Sequence, residues 1–200
     1  DKRLVCCREE IRRLTRLTGQ LEGLARIEGA GNDLAIGEID LKEFIGQVCT
    51  LQESQFRQRG ISFGWEAEEL RFRADGDRLS QILVNLLSNA AKYTDVGGEV
   101  RVTGAAGTWE GQPAVAIRVR DTGCGIPADD LPHIFERFYR VDRSRSSDTG
   151  GAGIGLTIAW QLARRHGGTI EVASQPGQGS EFTLHLPLVR ARLSEPPVLW

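Results

Sequence analysis

The 200-residue sequence predicts an α+β fold, a two-layer sandwich of helices on a mixed, mainly antiparallel sheet, preceded by one long N-terminal helix. Three observations carry that expectation. Apolar residues recur at steps of three and four in four separate stretches, as amphipathic helices require. Six shorter stretches carry the alternation or β-branched content of strands. The two kinds of segment do not alternate strictly, which argues against a doubly wound parallel sheet.

The first stretch runs from residue 1 to about 28. Ile11, Leu14, Leu17, Leu21, Leu24 and Ile27 lie at the seam spacing of a coiled coil or helical bundle. Such a stripe calls for a partner helix. A surface helix packed on the following domain would show the same pattern. Gly29, Gly31 and Asn32 end the helix and mark a boundary. Residues 1–30 are therefore read as one partial domain, 36–190 as the main domain, and 191–200, with Pro196 and Pro197, as a loose tail.

Within the main domain, Phe44, Ile45, Val48 and Leu51 place a helix over 41–58. Short strands are expected near 61–65 and 70–73. Asp75 and Asp77 offer N-caps for a helix over about 77–92. Strands follow near 98–106 and 113–120, the latter alternating through Val115, Ile117 and Val119. Glycine-rich and polar sequence fills 121 to about 152. A helix over 153–166 and strands near 168–174 and 180–187 complete the domain.

Composition narrows the function. An apolar content of 40% supports a core, and a formal charge of −2 gives no broad footprint for nucleic acid. No apolar run approaches the roughly 20 residues of a membrane-spanning helix, and no signal peptide is visible. Cys6, Cys7, Cys49 and Cys124 are scattered without metal-ligand spacing, which favours a reducing compartment over a disulfide framework or zinc site. The chain opens on Asp1 inside a helical stretch and holds no methionine, so it is expected to be a piece of a longer protein. Whether that parent carries a membrane segment stays open.

Chemistry concentrates in five places. On the helix over 77–92, Gln81, Asn85, Asn89 and Lys92 share one face while Leu79, Ile82, Leu83, Leu86, Leu87 and Ala90 gather opposite. Two carboxamides one turn apart with a lysine beyond suit a hard cation beside phosphate. Taken alone, the same asparagines read as solvated polar residues. DTGCGIP at 121–127 sets Asp121 at a strand end, where its carboxylate can accept from a base amino group; a plain turn would look alike. GGAGIGL at 150–156 opens directly into a helix, where free amides and the helix dipole favour an anion. GQGSEF at 177–182 is a hairpin with glycines at its turn. Between the first two glycine clusters, IFERFYRVDRSRSSDTG combines Phe135 and Phe138 with Arg137, Arg140, Arg143 and Arg145, the makings of a lid or of a solvated charged loop.

In order, these segments resemble the histidine-kinase branch of the ATPase superfamily shared with type II topoisomerases and mismatch-repair ATPases. NLLSNAAKYT resembles its asparagine box, DTGCGIP, GAGIGL and GQGSEF its three glycine boxes, and IFERFYR its phenylalanine box. The resemblance covers roughly residues 70–187, and RLTRLTGQLEGLARIE is similar to the second helix of the family's dimerisation hairpin. It implies a Bergerat-type sandwich that binds ATP and magnesium (Mg2+). Asn85 and Asn89 would ligate the metal, Lys92 would meet phosphate, Tyr93 would flank the base, and Asp121 would receive the adenine amino group. Gly123 and Gly125 would shape the base pocket, with Ile126 and Leu156 as apolar walls. Gly151, Gly153 and Gly155 would frame the phosphates, Arg140 would reach the terminal one, and Arg137 is a second choice. Asn89, Lys92 and Arg140 are thus the implied catalytic residues.

The implied reaction passes the terminal phosphoryl group of ATP to a histidine on the dimerisation domain, for onward transfer to a response-regulator aspartate. That acceptor has no counterpart here, since His133, His166 and His185 lack the family's histidine-plus-acid context and read as structural. The fragment is therefore expected to bind ATP without labelling itself, in the cytoplasm, as part of a homodimeric parent; the fragment alone could be a monomer. Ala152, Ile154 and Cys124 depart from the usual residues, and Cys124 reads as filler. Rival readings are a serine kinase of the anti-sigma-factor type, a non-catalytic nucleotide-dependent module, and an ATP-driven clamp, the last without its transducer domain.

Overall fold

The computed structural model describes residues 34–141 and 153–188. The expected N-terminal helix, its glycine boundary, the tail from 191, and Arg143, Arg145 and Gly151 lie outside the described residues.

Chain entry is set by a short strand that local pattern does not announce. β1 (Gly37–Asp40) carries a single apolar residue, Ile39, and exists because it pairs antiparallel with β3 (Arg71–Ala74), Asp40 lying opposite Arg71. Between them come α1 (Leu41–Gln58) and β2 (Ser62–Ala67). Asp40 caps α1 by accepting from the Glu43 amide, and Leu41, Phe44, Ile45, Val48 and Cys49 form its buried stripe. Leu51, expected on that face, is exposed instead. Burial pushes the Cys49 thiol up to about 12, so this cysteine behaves as a small apolar residue.

The strands near 61–65 and 70–73 are both present but part company. β3 joins β1, whereas β2 runs parallel to β4 (Glu99–Trp109) at the edge of a five-stranded sheet. The crossover between β2 and β4 contains α2 (Gly76–Tyr93), as a parallel connection requires. β5 (Gln112–Asp121), α3 (Gly155–Arg165), β6 (Thr169–Gln175) and β7 (Gly179–Pro187) complete the order β2-β4-β5-β7-β6, with every pair after the first antiparallel. The expected α+β sandwich with a mixed, mainly antiparallel sheet is the observed fold. Among the described residues, no helix is long and apolar enough to cross a membrane.

Cross-strand register turns the alternation into layers. Val102, Val119, Phe182 and Val172 form one row across four strands, and Ile117, Leu184 and Ile170 the next. These face the helices, and Leu79, Ile82, Leu83, Leu86 and Leu87 of α2 are buried against them. Phe56 of α1 stacks on Phe63 of β2 with ring centroids 4.2 Å apart.

The N-terminus of α2 is a junction. Asp75, and not Asp77, is the cap: its Oδ1 accepts from the Arg78 amide at 3.1 Å and its Oδ2 from the Ala35 amide at 2.9 Å. The Asp75 amide donates to His166 Nε2 at 3.2 Å, at the C-cap of α3. His166 Nδ1 lies 2.8 Å from the Leu162 carbonyl, which can only accept, so the proton sits on Nδ1 and the imidazole is neutral in this arrangement.

Phe56 is fully buried, so Phe56→Ala should cost about 3–5 kcal/mol. Urea denaturation monitored by circular dichroism checks this; a loss below about 1 kcal/mol would mean the α1–β2 contact is not part of the cooperative core.

Candidate functional site

One row below the apolar layers, the same sheet face turns polar. Asp121 of β5, Ser180 of β7 and Ser174 of β6 are register partners at the sheet end. Asp121 is only 6% exposed. Its Oδ1 accepts from the amides of Gly123, at 2.9 Å, and Ser180, at 3.2 Å. Both of these bonds fall on one oxygen, which leaves Oδ2 for an incoming donor. Burial holds the Asp121 carboxyl above its ordinary range, and the two amides pull it part of the way back.

The loop after Asp121 is pressed between its neighbours. A side-chain carbon on Gly123 would sit 2.3 Å from the Tyr93 carbonyl oxygen, so only glycine lets the loop approach the end of α2. Gly125, at φ +68°, would collide with the Gln175 carbonyl at 1.9 Å. Hydrogen bonds fasten both sides: Cys124 N to Tyr93 O at 3.1 Å, and Gly177 N to Cys124 O at 2.8 Å. Ile126 donates its amide to Ser174 Oγ at 2.8 Å, and its side chain packs on the core. The third glycine cluster is thus more than a hairpin turn, because it buttresses the first. Nothing local in the sequence singles out Ser174 and Ser180; only the pairing of β5, β7 and β6 brings them beside Asp121.

The other end of the site lies along α2. Asn85, Asn89 and Lys92 are half-buried on the face opposite the leucines, as their spacing predicts. A side-chain carbon added at Gly155 would come within 3.5 Å of Asn85 Oδ1, so this glycine keeps a small opening between Asn85 and the start of α3. Ile154, the N-cap of α3, makes no side-chain cap bond. A carboxamide oxygen facing a helix N-terminus, with a second asparagine one turn along, fits a phosphate with a hard cation. Lys92 Nζ bonds the Tyr93 hydroxyl at 3.0 Å and lies over its ring; Tyr93 itself is exposed. Leu156 is partly buried against the core.

Gly153, at φ +71°, accepts from the Phe138 amide at 3.0 Å, which joins the two ends of the segment between them. Phe138 is exposed and also has positive φ, at 63°, rare for a bulky residue. Arg137 is exposed and Arg140 half-buried on this stem. Tyr139 bonds Asp130, and that carboxylate raises the phenol above its ordinary value. His133 pairs with Glu136 at 2.7 Å and His185 with Glu171 at 3.1 Å. An open groove of about 1150 Å3 lies elsewhere, between α1 and Trp65, and brings together none of these groups.

Residues 74–190 match the family described as histidine kinase-, DNA gyrase B-, and HSP90-like ATPase. The chain belongs to that family. Sensor histidine kinase YkoH of Bacillus subtilis is 40% identical over 171 residues, 86% of this chain and 36% of YkoH. Full-length ShkA, solved in complex with AMPPNP, has a TM-score of 0.80 at 33% identity, covering 92% of this chain and 38% of ShkA. Histidine kinase ThkA, solved in complex with the response regulator protein TrrA, gives 0.72 at 26% identity over 90% of this chain and 49% of ThkA. The chain spans between about a third and a half of the length of the curated relatives it matches. YkoH is a sensor histidine kinase and ThkA a histidine kinase, and the solved structures carry the same α+β sandwich.

Because the Asp121 carboxyl is raised in the native state, the folded chain binds more protons than the unfolded one between the two pKa values, and this group's contribution to stability falls as pH rises through them. Asp121→Asn keeps Oδ1 and removes the buried charge. Without ligand, its melting temperature relative to wild type should therefore be higher at pH 7 than at pH 4. Thermal melts at both values test this, and a pH-independent difference would refute it.

Proposed function

We propose that this chain is the catalytic domain of a protein-histidine kinase, which binds magnesium-ATP and passes the terminal phosphoryl group to a histidine on the dimerisation domain of its parent. The observation that carries the reading is the placement of α2. Its C-terminal end rests on the loop of a buried acceptor, Asp121, and its middle, at Asn85, faces the start of α3. A base at one end and phosphates at the other are what such a strip can hold.

In this reading the adenine amino group donates to Asp121, between Tyr93 and the apolar sides of Ile126 and Leu156. Gly123 and Gly125 let the loop backbone close on the base. Asn85 and Asn89 would hold magnesium, which when bound neutralises phosphate charge. Lys92 leaves the Tyr93 hydroxyl for a phosphate oxygen, and the amides of Gly151, Gly153 and Gly155 frame the rest. The acceptor histidine nitrogen attacks the terminal phosphorus, the bond to the bridging oxygen breaks, and ADP leaves. Arg140, with Arg137 beside it, stabilises the charge on the transferring group. The phosphohistidine then supplies a response-regulator aspartate, as the ThkA–TrrA complex suggests for a relative. The parent works as a homodimer with this domain in the cytoplasm.

Incubation with magnesium, ATP labelled on the terminal phosphate and a separately made dimerisation domain tests the reading. Label should appear on the added domain, labile in acid and stable in alkali, and Asn89→Ala should lower its rate at least about a hundredfold. The chain alone should stay unlabelled. Acid-stable label on serine would point to an anti-sigma-type kinase, and tight ATP binding without transfer to a nucleotide-reading module.

A further inference from the structure

We infer that Ser174 is a positioning residue for base recognition: its hydroxyl dictates hydrogen-bond direction beside Asp121 and so favours a base that offers an amino group over one that offers a carbonyl. The inference rests on the nucleotide reading above and goes further, by naming the residue that sets purine preference.

Three groups surround Ser174 Oγ. The Ile126 amide lies at 2.8 Å, the Gly179 carbonyl at 2.9 Å and Ser180 Oγ at 2.9 Å. A hydroxyl has one proton and two lone pairs. The Ile126 amide can only donate, so it occupies one lone pair. The Gly179 carbonyl can only accept, so it takes the proton. The remaining lone pair is left for Ser180, whose hydroxyl must be the donor in that contact. Ser180 has then spent its only proton, and its oxygen can offer nothing but lone pairs to anything else nearby.

Ser180 is the cross-strand partner of Asp121, and its amide already holds Asp121 Oδ1. The ionised Asp121 carboxylate is acceptor-only as well. Ser180 Oγ and the Asp121 carboxylate, on paired strands, can therefore offer only lone pairs to a group that reaches them. An exocyclic amino group, as on adenine, complements them, and an oxo group in the same place, as on guanine, meets repulsion. Removing the Ser174 hydroxyl would free the Ser180 proton to rotate and donate, which relieves the penalty against the oxo base. It would also unfasten the Ile126 amide from the Gly179 carbonyl, loosening the loop that carries Gly123 and Gly125.

Competition of ATP and of GTP against trinitrophenyl-ATP on the purified chain tests this, with wild type, Ser174→Ala and Ser174→Thr. Wild type should prefer ATP. In Ser174→Ala the ATP affinity should fall about tenfold while GTP changes by less than about twofold, so that the preference narrows about tenfold. Ser174→Thr retains the hydroxyl and should restore the preference. An ATP-to-GTP ratio unchanged in Ser174→Ala, or an equal fall for both nucleotides, would overturn the role of Ser174. A narrowed ratio that Ser174→Thr fails to restore would overturn the hydroxyl as its cause. Wild type failing to bind ATP would overturn the nucleotide reading itself, an outcome distinct from an unchanged ratio.

Discussion

A carboxylate buried at the end of a strand must be held, or it unfolds the loop around it. Asp121 is held by two amides on one oxygen, and those amides come from segments far apart in sequence, the loop at Gly123 and the start of β7 at Ser180. Most of the site geometry follows from satisfying that one group. Gly179, at φ +93°, must lack a side chain because its backbone lies against the Asp121 carbonyl. Gly123 must lack one because the same loop is pressed onto the end of α2. The helix carrying Asn85, Asn89 and Lys92 is thereby indexed to the acceptor, with no direct bond between their side chains.

Elements with a strong local period are legible from the order of residues alone. The helix over 41–58 and the core face of α2 follow from apolar spacing, whereas the choice of Asp75 over Asp77 as cap needs the structure. β1 is not legible, because GEID has no alternation worth the name and its strand character comes from pairing with β3 more than thirty residues later. The fates of β2 and β3 are hidden for the same reason, since nothing in either marks which sheet it joins. Local spacing puts Leu51 on the buried face of α1, but it is exposed at the edge of the open groove beside Trp65.

The candidate site divides along the same line. Glycine clusters and the two asparagines stand out in the sequence because chemistry needs those residue types there. Ser174 and Ser180 do not, because serine in a hairpin is unremarkable until register sets both beside a buried carboxylate. The histidines illustrate the converse. Each carries a chemistry-capable side chain, yet His133 is occupied by Glu136 and His166 by Asp75 with Leu162, while His185 meets Glu171 through Nε2 and its buried Nδ1 has no partner among the described residues.

The Asp75 junction has a mechanical meaning. One residue grips the incoming chain at Ala35 with its carboxylate, opens α2 with the same carboxylate, and touches the far end of α3 through His166. Residue 35 is thus geared to both helices that border the Asn85–Gly155 opening. Two helices and an entering backbone thus share one small hub, the carboxylate of Asp75 serving the chain and α2 and its amide serving α3.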